Sequence, residues 1–117
     1  MSITRLRAGP RMSQAVVHGA TIYLAGQVAD RAKAKSVGEQ TREILATIDR
    51  LLAEAGSDKT RLLSATIYLA DIATFAEMNA EWDAWIPAGN APARATVEAK
   101  LAASEFTVEI ACIAARA

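Results

Sequence analysis

The sequence predicts an α+β fold, a single mixed β-sheet with two helices on one of its faces. Three observations lead there. Short runs of alternating or β-branched residues occupy both ends of the chain, two internal segments have helical spacing, and one further strand lies between those two segments.

Residues 3–7 and 14–18 read as strands separated by Gly9-Pro10. Gly19-Ala20 is a turn signal, and Thr21 to Ala25 makes a third strand, favoured over helix by its β-branched and aromatic content. Ala29 to Lys35 is polar and basic, as an exposed loop would be. Ser36-Val37-Gly38-Glu39 has the form of a capping box, in which hydroxyl and carboxylate each satisfy a free backbone N–H. Ile44, Leu45, Ile48, Leu51, Leu52 and Ala55 then recur every three or four residues, and Gly56 stands where the helix should stop. Leu63 to Ala70 returns to strand. Asp71 is placed to cap a second helix whose stripe is Ile72, Phe75, Met78, Trp82 and Trp85; that spacing reads as core packing before it reads as a ligand box. Pro87, Gly89 and Pro92 mark a loop, and Ala93 to Ala99 with Phe106 to Ala115 are expected to close the fold as a strand pair. One sheet face is left without helix, and a ring of subunits would cover it.

Composition narrows the function. A chain of 117 residues is one domain, 1–117, and its 52% hydrophobic content includes only 5% aromatic residues. Such an alanine-rich core packs thinly, which implies apolar surface buried against other subunits. Thirteen basic residues balance thirteen acidic ones with no basic run, so no nucleic-acid partner is expected. Arg5, Arg7 and Arg11 come nearest to a cluster, and alternation puts Arg5 and Arg7 on one solvated face. Cys112 is the only cysteine, which excludes an intrachain disulfide, and its apolar surroundings predict a buried, inert thiol. No apolar leader and no stretch near the ~18 apolar residues of a membrane span is present, so a cytoplasmic protein with no membrane partner is expected.

The usual catalytic patterns are missing. His18 is the lone histidine, sits beside Gly19, and has no nucleophile elbow to serve. There is no phosphate loop, dinucleotide fingerprint or metal-ligand cluster, so neither cofactor nor metal is expected. Chemistry must rest on Arg, Glu, backbone groups and water. A hairpin centred on Leu101-Ala102 would set Arg94 opposite Glu109. Two readings fit that pair: a cross-strand ion pair worth ~0.2–1 kcal/mol, or a carboxylate anchor whose charge-assisted hydrogen bonds contribute about 1.5–3 kcal/mol.

The ordered motifs Gly9-Pro10 with Ser13-Gln14-Ala15-Val16, Ala25-Gly26-Gln27-Val28, Glu39-Gln40-Thr41-Arg42, Ala53-Glu54-Ala55-Gly56 and Ala65 to Asp71 are followed by Phe75, Met78-Asn79, Pro92 to Glu98 and Val108-Glu109-Ile110. Together they resemble the reactive intermediate deaminase family (RidA, or YjgF-like, also called the endoribonuclease L-PSP family) along nearly the whole chain. The resemblance implies a chorismate-mutase-like fold, a homotrimer with pockets between subunits, and hydrolysis of enamines and imines of the 2-aminoacrylate type to 2-keto acids and ammonia. It assigns Arg94 to the substrate carboxylate and Glu109 to the attacking water. It also assigns the Thr96 carbonyl to the substrate nitrogen, Gly26 to a close backbone approach, and Asn79 to the pocket's margin, where a helix-face hydrogen bond to a loop would explain the asparagine equally well. Met12 and Ala25 depart from the pattern, since relatives carry hydroxyls there. That departure implies slower turnover or a larger apolar substrate, and it keeps open a non-catalytic, keto-acid-binding or regulatory trimer. Ribonuclease and translation-inhibitor labels also occur in the family, and the neutral charge gives the first little support.

Overall fold

The computed structural model describes residues 1–117. Strands β1 (Ile3–Ala8), β2 (Ser13–His18) and β3 (Thr21–Leu24) precede helix α1 (Val37–Glu54); β4 (Leu62–Leu69), helix α2 (Phe75–Trp85), β5 (Ala93–Glu98) and β6 (Val108–Ala115) follow. The strands form one six-stranded sheet in the order β1-β2-β3-β6-β4-β5. Only β4 and β5 run parallel, which requires the crossover that α2 supplies. The element order and the mixed sheet agree with the expectation from sequence.

The core is one cluster of 22 buried apolar residues, filling the space between one sheet face and the two helices. α1 contributes Ile44, Leu45, Ile48, Leu51 and Leu52, one contiguous stripe. Its first turn is closed by Ser36, whose Oγ accepts the Glu39 N–H at 3.2 Å. The Glu39 carboxylate accepts from the Ser36 hydroxyl at 3.1 Å instead of from the Ser36 N–H, so the capping box is closed side chain to side chain. At the other end Gly56 takes φ +84°, the left-handed conformation glycine tolerates, and the Ser57 N–H reaches back to the Leu52 carbonyl at 2.8 Å. Gln40, fully buried, donates to the carbonyls of Lys35 and Glu105 and accepts from the Thr107 N–H, tying the 99–107 loop to the helix.

Four expectations need correction. The closing strands are not a hairpin: β4 lies between β5 and β6, because β6 fills the gap beside β3 while β5 crosses over to the outer edge. Ile72 is exposed and sits in a 3-10 turn, Ile72–Thr74, that Asp71 caps through the Ala73 N–H, so the packed stripe of α2 starts at Phe75. Ala29, placed in the exposed loop, is fully buried. Arg5 and Arg7 are both exposed, as expected, but Arg7 takes φ +50° and its guanidinium forms a bidentate pair with Glu54 at the end of α1 instead of sharing a free face with Arg5. Cys112 is buried as expected, and burial pushes its thiol up to about 12, so it is not a nucleophile at physiological pH. No helix is long and apolar enough to cross a membrane.

Candidate functional site

Register decides where the candidate residues stand. Arg94 is level with Ala65 on β4, which is level with the buried Cys112 on β6; Arg94 therefore belongs to the helix-covered face. Thr96 and Glu98 share that face, level with Ile67 and Leu69. Glu109 is level with Tyr68 and belongs to the opposite face, the one without helix. Two strands and three residues separate Arg94 from Glu109, roughly 14 Å between Cα atoms at ~3.3 Å per residue and ~4.8 Å per strand. The expected pairing of these two side chains within one chain does not occur, and the intervening β4 is the reason.

Arg94 lies against α2. Its guanidinium carbon is 5.2 Å from the centre of the Trp82 ring and 5.7 Å from that of Phe75, both within reach of a cation–π interaction. Phe75, Asn79 and Trp82 fall on one row of the helix, at i, i+4 and i+7. The Oδ1 of Asn79 and the Oγ1 of Thr96 are buried without a hydrogen-bond partner. Glu98 is spent on structure, accepting the Ile72 N–H at 3.1 Å. Of the nine arginines, only Arg94 is withdrawn from full exposure, and no carboxylate pairs with it; the two ion pairs of the chain are Arg7–Glu54 and Arg42–Glu81, both at the surface.

Glu109 belongs to a second group. Gly26 follows β3, and a side chain built on it would collide with the Glu109 carboxylate, so the absence of a Cβ makes the room in which that carboxylate lies. Backbone hydrogen bonds between Gln27 and Ile110, 2.9 and 3.1 Å, hold the two segments together. Ala25 is fixed beside them by its N–H to the Gln14 carbonyl, and the Gln27 side chain links Gln14 to the Ala25 carbonyl. Met12, in the turn between β1 and β2, is 47% exposed. The coordinates thus bring together Arg94, Thr96 and the α2 row that includes Asn79, and separately Gly26, Ala25 and Glu109. Each of the five main clefts of the chain is lined by other residues, the widest (about 310 Å³) lying between the helices at Trp85, Lys59 and Arg42. Sequence reasoning overlooked the placement of Arg94 over Trp82 and Phe75; the available signal was an aromatic stripe on the helix that must cross over β5.

A single mixed sheet with two helices on one face, and an unpaired arginine on the edge strand beneath one of them, defines a small α+β protein of the chorismate-mutase-like class. The family follows from comparison: the model described as Endoribonuclease L-PSP matches residues 2–116, and the chain belongs to that family. The chain is 46% identical over 115 residues to the RutC family protein YoaB of Escherichia coli, covering 98% of this chain and 99% of that one. It is 44% identical over 114 residues to a RutC family protein of Haemophilus influenzae, covering 97% and 98%. The crystal structure of a YjgF-family protein from Neisseria meningitidis superposes with a TM-score of 0.97 at 48% identity, covering 100% of this chain and 97% of that one.

Proposed function

We propose that the protein hydrolyses reactive imines and enamines of the 2-aminoacrylate type to 2-keto acids and ammonia. The observation that carries the reading is Arg94, a half-buried guanidinium backed by aromatic rings and left without a carboxylate. A cation so placed is completed by an anionic guest, and its fork matches a substrate carboxylate.

Arg94 and Glu109 stand on opposite sheet faces, so a small substrate touching both must lie between two copies of the chain, one lending the arginine and the next the glutamate. The homotrimer implied by the family resemblance meets that need, and the half-exposed face bearing Tyr68, Ala111 and Ile113 offers apolar surface for it. In the reaction the enamine tautomerises to the imine, and Glu109 takes a proton from water as the oxygen attacks the C=N carbon. The same proton passes to nitrogen to give a carbinolamine, whose hydroxyl proton then moves to nitrogen as the C–N bond breaks, so that ammonia leaves behind a keto acid. The Thr96 main-chain carbonyl accepts from the substrate N–H. Ala25, beside Gly26, leaves an apolar margin near Glu109, suited to a substrate larger than 2-iminopropanoate.

The test is the decay of imino acids generated in situ, followed with and without protein. Wild type is expected to accelerate it, Arg94→Ala to raise KM about 10- to 150-fold, and Glu109→Gln to lower kcat about 10²–10⁴-fold. Wild type no faster than Arg94→Ala would reject the enzyme. The missing hydroxyls at Met12 and Ala25 favour a second reading, a keto-acid-binding trimer without turnover. Calorimetric binding of a keto acid alongside null kinetics selects it. A net charge of zero gives a third reading, an RNA-acting protein, little support.

A further inference from the structure

We infer that Trp82 is the positioning residue that keeps the Arg94 fork open for a carboxylate, an inference that rests on the reading of Arg94 as substrate anchor. An arginine side chain is long and flexible, and on an edge strand it is ordinarily held by an acidic partner that consumes its N–H groups. Arg94 has no such partner, and its guanidinium carbon lies over two aromatic rings instead. Stacking on an aromatic ring uses the flat surface of the guanidinium and leaves the in-plane donors at its edge free, which is the edge a carboxylate binds. Face-on packing and edge-on binding are therefore compatible in a way that an ion pair and binding are not.

Trp82 is itself fixed. It is 4% exposed, and its ring meets that of Trp85 at 5.5 Å and a 54° tilt. The Trp85 indole N–H donates to Asp49 on α1 at 3.0 Å, and the Lys59 ammonium lies 5.2 Å from the Trp85 ring centre. Contacts thus run from α1 through Trp85 and Trp82 to Arg94. Phe75 supplies the second ring from the start of α2.

The experiment compares Trp82→Leu, Trp82→Tyr and Phe75→Leu with wild type in two measurements. The first is the side-chain Nε–H resonance of Arg94 by NMR, assigned from its loss in Arg94→Ala. Ring currents are expected to displace it in wild type and in Trp82→Tyr, and Trp82→Leu to return it toward the free-arginine position. The second is imine hydrolysis. Trp82→Leu should raise KM about three- to thirtyfold with kcat near wild type, and Trp82→Tyr should recover most of that loss. A KM in Trp82→Leu equal to that of Trp82→Tyr, or an Arg94 resonance indifferent to the ring, overturns the inference. Should Trp82→Leu fail to fold, Phe75→Leu decides, with a smaller rise in KM in the same direction expected and no rise counting against it. If wild type itself turns nothing over, the deaminase reading falls, and the resonance comparison alone judges the positioning role.

Discussion

The two helices pack on the same face of one sheet, yet they are built to different standards. α1 runs 18 residues, is capped at both ends, and buries nine of its residues. α2 runs 11, starts without a side-chain cap, and buries only Met78 and Trp82. What α2 offers instead is the row of Phe75, Asn79 and Trp82 around Arg94, with an unpaired acceptor included. Stability is concentrated in the helix that holds the core. The helix that faces the candidate anchor gives up caps and burial, and keeps one buried polar atom, the Asn79 Oδ1, without a partner.

Three measurements press on that contrast. The largest effect is expected at Ile48, fully buried on α1: Ile48→Ala should cost about 2–5 kcal/mol in urea unfolding while activity per folded molecule stays at the wild-type level. Equal loss of activity would mean the helices do not divide labour in this way. A smaller effect is expected at the one ion pair between the helices, Arg42 with Glu81 at 3.0 Å. The hydrogen bond from Arg42 holds the Glu81 carboxyl below its usual range. A carboxyl lowered in the folded state adds stability above the ordinary glutamate range and loses it as pH falls through the lowered value. The unfolding midpoints of wild type and Arg42→Ala should therefore differ slightly at neutral pH, solvent screening keeping the difference small, and converge in acid. The smallest stability effect is expected at Asn79, whose unpaired Oδ1 contributes no hydrogen bond to the free chain. Asn79→Ala should move stability by under about 1 kcal/mol and still weaken keto-acid binding in calorimetry; a large destabilisation would make Asn79 structural.

Most of the architecture was legible in the chain because local signals carry it. The period of α1, its Ser36 and Gly56 boundaries and the alternation of β4 each depend on residues within a few positions of one another. The failures come where a distant partner decides. Nothing within Ala93 to Ala115 indicates that β4 will slide between β5 and β6, since that slot is set by the pairing of β6 with β3 and by the crossover through α2. The error changed the candidate site, turning an expected facing pair into two groups on opposite faces. The positive φ of Arg7 was equally invisible, because an arginine gives no local cue for a left-handed backbone, and its partner Glu54 lies 47 positions away. Arg94 itself was singled out by residue type and by family resemblance, whereas its aromatic backing depended on which helix lands on which strand.

The meeting of Gly26 with Glu109 has a consequence for how this protein can vary. A methyl group at position 26, the smallest possible change, would take the volume that the carboxylate fills and force it to swing aside or push the two backbone segments apart. The whereabouts of an acid on β6 are therefore written in a missing atom more than eighty residues earlier. Drift or design at position 26 would alter what Glu109 can reach without changing any ionisable group, a route that a survey of charged side chains alone would overlook.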